Sequence, residues 1–208
     1  MAILARHENA SVARGWRGRL LRWPTACLPT RPVRFGKLKA EKGSLAPDTV
    51  TVEIRRFRPA DSAAVADVIE RCLREVNSRD YPSDTIELMC AHFTPRQIER
   101  LAAERQMFVA VDQDDVVGTV SRDGNKVYTM FVHPRTIGQG IGRHLMVHVE
   151  ALAAADGYAF METGASITGH GFYQRLGYLD VRTSETEFGF NYILRKPLPR
   201  PDPDAAVR

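Results

Sequence analysis

The sequence predicts a mixed α+β fold, in which a mostly antiparallel sheet carries one parallel crossover. Three observations lead there. Strand-type alternation and helix-type periodicity trade places along residues 49–197, with no internal repeat. Polar turns at 112–115 and 123–125 separate short apolar runs, the pattern of antiparallel hairpins. A strand, a glycine-rich turn, a helix and a second strand then follow between Val127 and Thr163, the order of a parallel βαβ unit.

Each element has its own signal. Residues 50–55 (VTVEIR) alternate as a strand. Pro59 and Asp61 open a helix in which Val65, Val68, Ile69, Cys72, Leu73 and Val76 recur at three and four. A loop over 77–83 leads to a short helix over 85–92. Thr94-Pro95-Arg96-Gln97 then has capping-box spacing, with proline at the first helical position. Residues 107–111 and 116–120 form a hairpin, and 127–132 is the next strand. The long helix to Ala155 carries the apolar stripe Ile141, Leu145, Val149 and Leu152, with Gly157 placed as its C-terminal cap. Residues 158–163 complete the crossover. A short helix over 169–176 ends at Gly177, and 178–181 and 188–194 supply the last strands.

Composition sets the outer limits. Of 208 residues, 44% are hydrophobic and 26% charged, ordinary for a globular protein. No apolar run approaches the roughly 18 to 20 residues of a membrane-spanning helix. The net charge of +4 is uneven: residues 1–40 hold nine basic side chains against one acid, Glu8. The remaining residues hold 20 basic and 24 acidic side chains, so the high pI belongs to the start of the chain and gives no reason to expect a specific nucleic-acid partner. Residues 1–48 read as a basic, unstructured extension, 49–197 as the folded domain and 198–208 as a Pro/Asp-rich tail. Three cysteines with no CxxC pair suit a reducing, cytoplasmic setting.

The chemistry concentrates at Val132-His133-Pro134-Arg135-Thr136-Ile137-Gly138-Gln139-Gly140-Ile141-Gly142-Arg143. Glycines between a strand and a helix let the backbone turn tightly and approach a ligand. Unpaired amides at the helix start, backed by the positive end of its dipole, bind phosphate oxygens, and Arg143 adds charge. The Lys-Ser/Thr of a Walker loop is missing, and GxGxG is not the GxGxxG spacing of a dinucleotide turn.

These residues, with Leu145, resemble the coenzyme A pyrophosphate motif of the GNAT superfamily. Ser166-Ile167-Thr168-Gly169-His170-Gly171-Phe172-Tyr173-Gln174-Arg175-Leu176-Gly177-Tyr178 resembles its second signature, FY-x-x-x-G-[FY]. The resemblance spans roughly residues 50–197. It implies a twisted, mostly antiparallel sheet of six to seven strands with one splayed parallel pair, flanked by about four helices. It also implies an N-acetyltransferase that moves an acetyl group from acetyl-CoA to a primary amine of a small molecule or peptide by direct attack. The alternative is a non-catalytic acyl-CoA-binding sensor or interaction module. Two positions depart from the family pattern: Ile137 stands where Arg or Gln is usual, and Ser166 where Asn is common.

By that resemblance, Phe131 and Val132 offer main-chain groups to the coenzyme's pantetheine arm. Gly138, Gln139, Gly140, Ile141, Gly142 and Arg143 hold its diphosphate, and Ser166 bonds it further on. Tyr173 matches the tyrosine that protonates the leaving thiolate; a phenol with an ordinary pKa of about 10 keeps its proton at neutral pH. Glu162 is the first candidate for a general base and His133 the second. Tyr81, His92, Glu185 and Glu187 fall in segments on the acceptor side. His144 and His148 are four apart but lack a third ligand, so no metal is expected and a solvated helix face is. Cys72 and Cys90 read as small core residues. The oligomeric state, a homodimer included, stays open.

Overall fold

The computed structural model describes residues 52–199; the basic extension and nearly all of the tail lie outside them. The described chain runs β1 (Glu53–Arg56), α1 (Ser62–Glu75), α2 (Ser83–His92), α3 (Pro95–Glu104), β2 (Gln106–Asp112), β3 (Asp115–Asp123) and β4 (Lys126–Val132). It continues with α4 (Ile141–Ala155), β5 (Phe160–Ala165), α5 (His170–Arg175), β6 (Leu179–Thr186) and β7 (Gly189–Pro197). The seven strands form one sheet in the order β1-β2-β3-β4-β5-β7-β6, and only β4 and β5 pair in parallel. The expected architecture is therefore present, with five α-helices among the described residues where about four were expected.

Local chemistry explains the boundaries. Asp61 accepts two bonds from the Arg55 guanidinium, at 2.7 and 2.8 Å, and one from the Arg58 amide at 2.7 Å, which fixes the entry into α1. The hydrogen bonds from Arg55, then that from the Arg58 amide, hold the Asp61 carboxyl below its usual range. Thr94 Oγ1 accepts from the Gln97 amide at 3.3 Å, the cap its spacing foretold. β5 starts two residues later than expected. The Gly157 and Tyr158 amides first donate back to Ala154 and Ala153 carbonyls, both at 3.0 Å, and hold the chain to the end of α4. β6 is longer than its apolar residues suggested, because an edge strand exposed along most of its length needs no apolar alternation. Leu198, assigned from sequence to the tail, belongs to the domain: its side chain is buried and its amide donates to the Ala159 carbonyl at 2.9 Å.

Two cores cover the two faces of the sheet. On one face Ile141, Leu145 and Val149 of α4 pack on Val120, Val127 and Met161. On the other, Val65, Ile69 and Leu73 of α1 join Ile86, Met89 and Ile98 over Met107, Val109 and Phe131. Each such side chain contributes about 1.5 to 3 kcal/mol on burial.

The feature that positions the site is the failure of β4 and β5 to stay together. They pair only at Lys126↔Glu162 and Val127↔Thr163, after which β5 continues beside β7 alone. A bulge on β4 sets Thr129 and Met130 opposite the single residue Val120, with Thr129 at φ 47°. A bulge bends its strand and sharpens its twist, so β4 turns away from β5 from Tyr128 onward.

Candidate active site

The bulge decides which amides face the gap. The His133 amide donates to the Val117 carbonyl at 2.8 Å, and Thr119 is opposite Phe131. In an antiparallel ladder the bonding alternates, so Phe131 and His133 address β3 while Val132 addresses the open side. The Val132 N–H meets the Cys72 thiol of α1 there. Of the two residues expected to present main-chain groups, Val132 is so placed. Phe131 bonds inward and buries its ring in the α1–α3 core.

From this edge a cleft of about 690 Å³ runs to the start of α4. Cys72 of α1, Val76 at its C-terminal cap, and Met130 and Val132 of β4 form its inner end. Gly138, Gly140, Ile141, Gly142 and Arg143 form its mouth. Thr168, Gly169, Phe172 and Arg175 close the side next to α5.

Gly140, at φ 85° and ψ −5°, caps α4 in a left-handed conformation that a side chain would strain, and no side chain caps the helix. The first α4 amides are left for a ligand. Gly142 serves packing instead. A Cβ there would stand 3.1 Å from Met130 Cε and from the Phe172 ring, so the first turn lies directly on the cleft wall. Arg143 is exposed and has no ion-pair partner among the described residues. Gln139 lies outside the lining, its side-chain Nε2 donating to the Arg135 carbonyl at 3.4 Å. Ser166 is fully buried and accepts from the Gly169 amide at 3.0 Å, shaping the loop before α5.

Tyr173 lies just behind this wall. It is 0% exposed, packed edge-on against Phe172 and Tyr178. Burial pushes its phenol well above the ordinary range, and the nearby Thr163 hydroxyl only partly offsets that. Neither hydroxyl completes a hydrogen bond of normal geometry. Cys72 is a core residue, as expected, and also lines the cleft; burial pushes its thiol up to about 11.

Glu162 is not in this cleft. It alternates with Met161 and so faces the opposite side of the sheet, where its carboxylate accepts from Arg195 Nε at 2.7 Å. His133 has its Nδ1 occupied by the Arg135 amide at 3.1 Å; burial first, then Arg135, holds its imidazole below the usual pKa. Tyr81 accepts from the Ile167 amide at 3.0 Å, while Thr168 donates to Asp80 at 2.6 Å. Together they tie the loop after α1 to the loop after β5, beyond the splay. His92 packs edge-on with Phe93 and Phe188, and Glu185 and Glu187 are exposed. His144 is on the solvated face, but His148 is half-buried with its ring edge-on to Phe108 at 4.6 Å. No group of three metal-ligating side chains occurs among the described residues.

Several lining residues went unnoticed in the sequence. Cys72 and Val76 are four apart at the end of α1 and its cap, and Phe172 and Arg175 three apart on α5, spacings shared with ordinary core and surface positions. Only the splay shows that they face a cleft.

Residues 78–194 match the family described as an acetyltransferase (GNAT) domain. The chain is 29% identical over 140 residues to peptidyl-lysine N-acetyltransferase YjaB of Salmonella typhimurium, covering 65% of this chain and 89% of that protein. It is 25% identical over 136 residues to the uncharacterized N-acetyltransferase YafP of Escherichia coli, covering 65% and 87%. A solved GCN5-related N-acetyltransferase of Rhodopseudomonas palustris superposes with TM-score 0.69 at 22% identity, over 75% of this chain and 100% of that one. The PaiA N-acetyltransferase of Thermoplasma acidophilum, solved in complex with coenzyme A, superposes with TM-score 0.59 at 16% identity, over 71% and 99%. The match spans more than half the chain and contains both the uncapped turn of α4 and the α5 signature, so the chain belongs to the GNAT acetyltransferase family.

Proposed function

We propose that the chain transfers an acetyl group from acetyl-CoA to the amine of a small molecule or peptide by direct attack, with the α4 cleft as the coenzyme site. The observation that carries this reading is the joining of two unsatisfied features in one cleft: the uncapped α4 amides at its mouth and the open edge of β4 at its inner end. The first suits a diphosphate and the second an extended amide-bearing arm that adds to the strand.

In this arrangement Gly138 to Arg143 hold the diphosphate, with Arg143 and Arg175 supplying charge at the rim. The arm lies along β4 between Met130 and Phe172. Val132 N–H passes from the Cys72 sulfur to the extended arm, which pairs with the open strand edge there and carries the thioester on toward the β4–β5 junction. A neutral amine attacks the carbonyl carbon, the C–N bond forms and the C–S bond breaks. The proton lost by the nitrogen ends on the thiol. Tyr173 holds its own proton at neutral pH and donates toward the sulfur as it leaves, regaining a proton as the amide forms. Glu162, bound to Arg195, is not given the role of base; a water chain delivers the amine proton. Cys72 and Cys90, neither of them in a disulfide, support a reducing, cytoplasmic setting. Among the described residues no helix is long and apolar enough to cross a membrane.

Titration calorimetry with acetyl-CoA, followed by thiol release across an amine panel, tests the reading. Binding heat and amine-dependent thiol release are expected. No heat from folded protein overturns it, and heat without release for any amine assigns the fold to an acyl-CoA-binding module instead.

A further inference from the structure

The splay of β4 and β5 opens on both faces of the sheet. Opposite the α4 cleft is a second, smaller cavity of about 70 Å³. Tyr128, Glu162 and Thr163 line it at the junction, and Lys126, Arg182 and Asn191 surround them. Thr163 is also the residue beside the Tyr173 hydroxyl. The cavity therefore adjoins the place where the thiolate leaves, from the side the coenzyme does not occupy.

Its charge is not what the acidic balance of residues 41–208 suggests. Glu162 is the cavity's one carboxylate, and it is bound to Arg195 at 2.7 Å. Asp123 is near enough to act on the Tyr128 phenol but does not line the cavity. Against these acids stand four cations. The Arg105 guanidinium stacks on the Tyr128 ring, 4.1 Å from its centroid, with Nη1 buried and without a hydrogen bond. Arg195 is matched by Glu162. Lys126 and Arg182 have no ion-pair partner among the described residues. Positive charge is in excess, and its two unmatched bearers flank the opening. The cavity is roomy enough to admit a carboxylate.

Building on the acetyl-transfer reading, we infer that this cavity binds a carboxylate of the acceptor, so that the preferred substrate is an amine that also bears an acid. Lys126 and Arg182 hold the carboxylate, Asn191 offers its amide, and the amine is left at the β4–β5 junction facing the thioester. Attack proceeds as above, and the cavity adds position and selectivity only.

Paired acceptors test this. Thiol release is compared for an amino acid and the amine left by its decarboxylation, and for an acidic peptide and its neutral counterpart. The preference is expected to favour the acid-bearing member at least about tenfold in kcat/KM. Lys126→Met and Arg182→Gln, both exposed positions, are each expected to reduce that preference about tenfold, with the melting temperature unchanged. The free pair and the peptide pair separate the two sources of the carboxylate. Equal kcat/KM within both pairs, or variants that slow both members alike, overturns the inference. If acetyl-CoA binds and is turned over with neutral amines, only this inference fails; if acetyl-CoA gives no heat, the reading beneath it has failed.

Discussion

The hydroxyls of Tyr173 and Thr163 meet, without bonding well, at the last residue pair β4 and β5 share. A buried polar atom left without a partner costs about 1 to 3 kcal/mol. The fold accepts that cost where a coenzyme sulfur and an attacking amine would come together, and the smaller cavity touches that junction.

Tyr173→Phe separates chemistry from packing. The ring stays in its edge-on contacts with Phe172 and Tyr178, and only the unbonded hydroxyl is lost. Thiol release at saturating acetyl-CoA is expected to fall about 10²- to 10⁴-fold. Coenzyme affinity by calorimetry should be unchanged, and the melting temperature equal or higher. Unchanged turnover with a good acceptor removes Tyr173 from the mechanism.

Two glycines of the α4 turn should fail in different ways. Gly140→Ala places a side chain at φ 85° with nothing within 4 Å of the new Cβ, so its cost is backbone strain of about 1 to 2 kcal/mol. Gly142→Ala meets Met130 Cε and the Phe172 ring at 3.1 Å, both on the wall of the cleft. It is expected to weaken acetyl-CoA binding about tenfold by narrowing that wall. Thermal melts and calorimetry on the two variants distinguish strain from obstruction.

Stability should decline on the alkaline side. Burial raises the Cys72 thiol from its ordinary value of 9.0 to about 11. The folded chain therefore keeps a proton that the unfolded chain releases above pH 9. In that interval the unfolded state binds fewer protons, so unfolding becomes easier as pH rises, with the full effect absent below it. The loss reaches about 2 kcal/mol by pH 11. The buried phenols of Tyr173 and Tyr178, both raised, add in the same direction at higher pH. Denaturant titrations from pH 7 to 11 should show a shallower decline for Cys72→Ala than for the wild type; equal slopes would exclude Cys72 as the source.

Much of this arrangement was legible in the sequence because it depends on local chemistry. The α4 stripe of Ile141, Leu145 and Val149 and the cap at Thr94 follow from spacing. So does the glycine turn before α4, where Gly138 and Gly140 both take positive φ. What was not legible depends on contacts far apart in the chain. That Glu162 would be bound to Arg195, 33 residues on, follows from the pairing of β5 with β7, which no local pattern specifies. That Val132 rather than Phe131 faces the gap follows from a bulge at Thr129 and Met130, a pair whose side chains carry no signal for one.

Arg122 tests whether the closed end of the splay is held by design of the long-range packing. Its side chain is 4% exposed. It donates to Gln106 Oε1 at 2.7 Å, to the Gly124 carbonyl at 3.1 Å and to the Asp156 carboxylate. One guanidinium thus joins β2, the turn before β4 and the end of α4, next to the two residue pairs that still bind β4 to β5. Arg122→Met keeps the apolar stem but strands the Gly124 carbonyl and the Gln106 amide oxygen. It is expected to lower unfolding free energy by about 3 kcal/mol. Arg122→Lys, which keeps the charge but cannot span three acceptors, should lose less than half of that. If the anchor also sets the splay, Arg122→Lys will raise KM for the acceptor more than it weakens acetyl-CoA binding, because the small cavity adjoins the pairs it secures. Equal effects on both ligands would mean that Arg122 contributes stability alone.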